Sequence, residues 1–116
     1  MSDTPGPAAE AASAESPGRQ PGSAAQAAEM CERARRLAED GESGPAAALF
    51  GEVLALGDTP ERARAALGLA VVLDDAGDVA GAREADRAAI ATGDPEYGAR
   101  AAYHLALTHE RAGEPG

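Results

Sequence analysis

Residues 57–78, GDTPERARAALGLAVVLDDAGD, lie over residues 93–114, GDPEYGARAAYHLALTHERAGE, with ten of 22 positions identical and a period of 36 residues. The matches are Gly57/Gly93, Asp58/Asp94, Ala63/Ala99, Arg64/Arg100, Ala65/Ala101, Ala66/Ala102, Leu69/Leu105, Ala70/Ala106, Ala76/Ala112 and Gly77/Gly113. Alanine is abundant here and matches cheaply; the register of the glycines and of the Leu-Ala pair does not. A fixed period in this range marks a stacked repeat, in which no single unit buries its apolar face alone.

The spacing predicts an all-α chain. Helices are expected over 24–40, 45–56, 60–76, 79–92 and 95–112. Gly41, Gly77 and Gly113 each follow a helical run and suit the left-handed position at a helix C-terminus. Thr59-Pro60-Glu61 and Asp94-Pro95-Glu96 each offer a capping oxygen, a proline for the first helical position and an acid for the first turn. Apolar stripes follow: Ala66, Leu69, Ala70 and Leu73; Val79, Ala82, Ala85, Ala89 and Ile90; and Ala46, Leu49, Phe50, Val53 and Leu54. No segment alternates as a strand does. The short connections make consecutive helices antiparallel neighbours.

Residues 1–23 are built from small and polar residues without Leu, Ile, Val or an aromatic ring. Such a segment buries too little apolar surface to offset its chain entropy, so a disordered tail is expected there, followed by one helical domain over 24–116. Alanine supplies 31 residues, against one Phe, two Tyr and no Trp. That composition suits thin, closely stacked helices.

The net charge is −10 and all ten basic residues are Arg. An acidic chain without a basic stripe is a poor match for nucleic acid or an anionic membrane surface, and it would attract a basic partner. No run approaches the length of a membrane span, and no signal peptide is visible, so a cytoplasmic location is expected. Cys31 is the lone cysteine, which leaves no internal disulfide.

These features resemble the tetratricopeptide repeat, a helix-turn-helix unit of about 34 residues. Leu69-Ala70 look like its helix A pair, Gly77-Asp78 its turn, Ala82 and Ala89 its small helix B positions, and Pro95 its closing proline. Gly41, Ala46 and Phe50 take comparable places in the first unit, and Leu105-Ala106 with Gly113 in the last. The resemblance covers units 27–62 and 63–98 and a half unit over 99–116. It implies antiparallel helix hairpins stacked as a short right-handed α-solenoid of about two and a half repeats. Departures are the longer period, the non-aromatic Met30, Ala66 and Ala102 at the helix A aromatic position, and Arg33-Ala34 in place of Leu-small. The final unit shows only its first helix, which leaves three states open: a marginal monomer, an oligomer that covers its open C-terminal end, or part of a longer repeat array.

Signals of catalysis are few. Without Lys there is no phosphate-loop lysine and no Schiff base. His104 and His109 are five apart, not the four that keeps metal ligands on one helical face. Asp74-Asp75-Ala76-Gly77-Asp78 lacks the spacing and the closing Glu of a calcium loop. No catalytic residue, metal or cofactor is expected. By the family's geometry, the concave groove would be lined by Arg64, Leu67, Val71, Asp74 and Asp75 in the middle unit and by Arg100, Tyr103, His104, Leu107 and Glu110 in the last. Ala28, Cys31, Glu32 and Arg35 would line it in the first. An apolar strip of Leu67, Val71, Tyr103 and Leu107 would then run between an arginine edge and an acidic edge. That suits a protein–protein interaction scaffold for a basic or amphipathic peptide or helix; the same apolar residues also suit simple packing of one helix on the next. The family's carboxylate-binding mode uses Lys and Asn, both missing here, although Arg64 and Arg100 could still meet one carboxylate.

Overall fold

The computed structural model describes residues 21–113. Five helices follow one another: α1 (Pro21–Glu39), α2 (Ser43–Ala55), α3 (Arg62–Asp75), α4 (Val79–Ala91) and α5 (Pro95–Arg111). No strand occurs among the described residues. The first helix opens at Pro21, ahead of the expected start at Ala24; the rest of the expected tail, residues 1–20, lies outside the described residues.

The period is written into the backbone. Gly41, Gly77 and Gly113 have φ of 81°, 92° and 76°, and Gly57 and Gly93 have φ of 95° and 82°. Each set is spaced by 36. At Gly77 the left-handed turn lets the Asp78 N–H donate to the Leu73 carbonyl at 2.8 Å, which closes α3. Glu42 N–H does the same to Leu37 at 2.9 Å for α1. Asp78 then caps α4, its Oδ1 accepting from Gly81 N–H at 2.9 Å.

The two proline turns differ. Asp94 accepts from Glu96 N–H at 2.9 Å and Tyr97 N–H at 2.8 Å, with Pro95 at the start of α5. At the equivalent turn, Thr59 was expected to cap a helix from residue 60. Instead α3 begins at Arg62 with no side-chain cap, and the Thr59 hydroxyl has no hydrogen-bond partner among the described residues. One extra residue separates Asp58 from its proline, so Asp58 is carried out of capping range. Arg62 stabilises this turn by donating to the carbonyls of Leu54 (3.1 Å) and Gly57 (3.4 Å).

Each helix packs on its neighbours in sequence, and α3 also touches both α1 and α5. The main core is formed by Ala27, Met30, Cys31 and Ala34 of α1, Ala46, Leu49, Phe50 and Val53 of α2, and Ala65 and Val72 of α3. A smaller cluster joins Ala66, Ala89 and Ala101. Among the described residues of α5 only Ala101 and Thr108 are buried, so this helix docks through little apolar surface. No helix of the described residues is long and apolar enough to cross a membrane.

A candidate binding cleft and a polar joint

A cleft of about 530 Å³ is lined by α1, α3 and α5. Its floor is apolar: Phe50, Leu67, Val71 and Val72, with Gly68 between them. Phe50 belongs to α2 but reaches the floor because Gly68 has no side chain; a methyl group there would overlap the Phe50 ring. The rim carries Glu32 and three arginines, Arg35, Arg64 and Arg100, with Tyr97.

The rim is cross-linked. Arg64 on α3 donates to Glu32 on α1 and, at 3.1 Å, to Glu61. Arg35 donates to Glu32 at 2.9 Å and to Glu39. The Arg35 and Arg64 hydrogen bonds hold the Glu32 carboxyl below its usual range. Arg100 pairs with Glu96 at 2.9 Å and lies over the Tyr97 ring, 5.5 Å from its centre. The Arg35 and Arg100 pairs are solvent-exposed, so they are easily exchanged for a ligand's groups. Cys31 is also at this wall, fully buried, and burial pushes its thiol up.

A second hollow, about 750 Å³, lies between the two proline turns and is lined by Asp58, Thr59, Pro60, Arg62, Ala63, Ala88, Ala91, Thr92, Gly93 and Asp94. It offers alanines and one proline as apolar anchors. Binding sites combine apolar walls with a few convergent polar groups, and the α1–α3–α5 cleft has both.

Of the residues expected to line a groove, the cleft brings together Cys31, Glu32, Arg35, Arg64, Leu67, Val71 and Arg100. Ala28, Asp74, Asp75, Tyr103, His104, Leu107 and Glu110 are not among its lining. Tyr103 is the most exposed large apolar side chain among the described residues, at 68%. Asp75 and Glu110 are exposed, and Leu107 is half-buried. Tyr97 and Phe50 line the cleft although sequence reasoning did not place them there. A glycine inside a helix is the sign of a close approach, and Gly68 was the signal for Phe50.

Asp74 and His104 meet elsewhere, in a polar joint between α3, α4 and α5. His104 Nδ1 is 2.6 Å from Asp86 Oδ2, and its Nε2 is 3.2 Å from Asp74 Oδ2. Arg111 donates to the same Asp74 oxygen at 2.6 Å. Beside them Arg83 on α4 donates to the Thr108 hydroxyl at 3.0 Å and to the Thr108 carbonyl at 3.2 Å. Burial works against the Asp74 carboxylate, but Arg111 and then His104 hold it below its usual range. Burial pushes the Asp86 carboxyl up, with His104 pulling the other way. No group of three His, Cys, Asp or Glu among the described residues is placed to hold a metal ion.

No known protein family, curated protein or solved structure matches this chain.

Proposed function

We propose that this chain is a non-catalytic interaction scaffold. Its helices form a tetratricopeptide-like stack, and a peptide or helix binds along the cleft between α1, α3 and α5. The observation that carries this reading is the cleft itself: an apolar floor of Phe50, Leu67, Val71 and Val72 beneath an ionic rim. The 36-residue recurrence of the left-handed glycines and the contacts of α3 with α1 and with α5 support the stacked arrangement. An amphipathic ligand fits best. Its apolar side chains would cover Leu67 and Val71, and its charges would exchange with the exposed partners of Arg35 and Arg100.

The test is selection of a displayed peptide library on the full chain, followed by affinity measurements with two variants. Val71 and Val79 are similarly exposed, at 39% and 37%, but only Val71 lines the cleft. Binders should weaken about tenfold or more on Val71→Asp, which sets a charge in an apolar contact, and keep their affinity on Val79→Asp. Equal loss in both variants, or no selectable binder, would sink the cleft reading.

One observation favours a second reading, assembly through α5. Ala99, Ala102 and Ala106 are exposed, whereas their counterparts one period earlier, Ala63, Ala66 and Ala70, are buried. Ala66 is packed in a cluster with Ala89 of α4. A helix like α4, supplied by a second copy, would cover the same face on α5. Molar mass by light scattering over a wide concentration range tests this: a dimer abolished by Ala102→Glu supports it, and a monomer throughout removes it.

A further inference from the structure

The joint around His104 needs one proton more than a neutral imidazole and two carboxylates supply. A neutral ring has one N–H, and its other nitrogen is an acceptor. His104 directs both nitrogens at carboxylate oxygens, Nδ1 at Asp86 and Nε2 at Asp74. With both acids ionised, one of these contacts would set lone pair against lone pair. Both become hydrogen bonds only when a further proton sits on the second ring nitrogen or on a carboxyl group. Low local dielectric makes the unsatisfied arrangement costly. The Asp86 side chain is fully buried, His104 is 16% exposed and Asp74 is 11% exposed. Asp86 Oδ1 has no hydrogen-bond partner among the described residues.

The surrounding charges indicate where that proton is held. On the α3 side Asp74 is already paired with Arg111. On the α4 side Arg87 acts on Asp86 only through its charge, and Arg83 is turned to Thr108. The extra proton is thus shared between Asp86 and His104, across the 2.6 Å contact of Asp86 Oδ2 with Nδ1.

The repeat shows that this joint could have been apolar. One period earlier, the positions of Asp86 and His104 are occupied by Phe50 and Gly68, which pack ring against backbone, and the position of Thr108 is occupied by the buried Val72. Phe50, Gly68 and Val72 carry no titratable group; the second joint has a carboxyl and an imidazole at two of the same three places.

We propose that the proton shared by Asp86 and His104 is a pH switch on the docking of α5. The helix is held against α3 and α4 while the proton is present, and it loosens as rising pH removes it. The burial that pushes the Asp86 carboxyl up agrees in sign, since stability from a raised acid is present at low pH and lost as pH rises through its folded value.

The test is amide hydrogen exchange of the full chain between about pH 5 and about pH 9, corrected for intrinsic rates, with the His104 ring nitrogens followed by NMR. Protection of α5 should fall by about tenfold or more across that range while α1 and α2 keep theirs. Asp86→Asn should abolish the effect, because the amide N–H donates to Nδ1 of a neutral ring without an added proton. Asp86→Phe combined with His104→Gly transfers the first joint's solution and should also flatten the profile; it serves if the Asn variant does not fold. The proposal is overturned by pH-independent protection of α5, by an Asp86→Asn profile like that of the unmodified chain, or by a singly protonated ring beside two ionised carboxylates from the acidic end of the range.

Discussion

The ring of Phe50 lies against Gly68 so closely that no β-carbon fits between them. This contact joins the first helical hairpin to α3, and it opens the floor of the cleft to an aromatic side chain rooted on α2. Helix propensity alone would favour alanine over glycine at residue 68 by about 1 kcal/mol. Overpacking of this kind costs about 1–3 kcal/mol, so the sign should reverse. Gly68→Ala is expected to lose about 1 kcal/mol in urea unfolding. Phe50→Leu should rescue part of that loss when combined with it, and a strictly additive double variant would show that the two residues do not interact.

Asp94 and Asp58 occupy the same repeat position but do different work. Asp94 accepts two backbone N–H groups at the start of α5. Asp58 has a fully exposed side chain, and its ion pair with Arg62 is long, at 3.8 Å. Asp94→Ala should therefore cost about 1 kcal/mol, the usual loss of an N-cap. Asp58→Ala should stay within about 0.5 kcal/mol, as exposed substitutions do. Thermal or urea unfolding of the pair of variants measures both, and equal effects would contradict the capping difference.

The helices were legible because alanine-rich stripes and glycine stops are local signals. Gly41, Gly77 and Gly113 mark turns by the one property only glycine supplies cheaply, a positive φ. The start of α3 was misjudged because two nearly identical turns differ by one residue, and a cap depends on that residue. The residues near the cleft were legible as far as repeat register extends: Arg64 and Arg100 are one period apart, and Leu67 and Val71 share a face with Arg64. Register could not show that Asp74 and His104 meet Asp86, because that contact forms between three helices. The notable position was Asp86, an acid on the buried stripe of α4 where the previous repeat has Phe50.

Acid should weaken the last helix through Asp74. Burial opposes its carboxylate, but the Arg111 hydrogen bond and charge, with those of His104, hold it below the ordinary value of 3.8. A depressed acid contributes stability that is present above its unfolded value and lost as pH falls through its folded value. Urea midpoints of the unmodified chain should fall below about pH 4. Arg111→Ala should be less stable at neutral pH and show a smaller further drop in acid. Parallel acid profiles for the two proteins would show that the Asp74–Arg111 pair does not contribute.

Cys31 gives a direct reading of α1, far in sequence from α5. Its side chain is fully buried against α2 and α3, and burial pushes the thiol above its ordinary value of 9.0, with the nearby Arg64 charge pulling in the other direction. Only the thiolate reacts, and only when it is exposed, so a disulfide reagent must wait for α1 to open. Labelling of the native chain at neutral pH should be about a hundredfold slower than in strong denaturant. The rate should rise with urea in step with loss of helicity. Substitutions at the polar joint, such as Asp86→Asn, should leave it nearly unchanged, because they act on α5. Labelling at the unfolded rate in native buffer would show that α1 is not held by the core that Cys31, Phe50 and Val53 form.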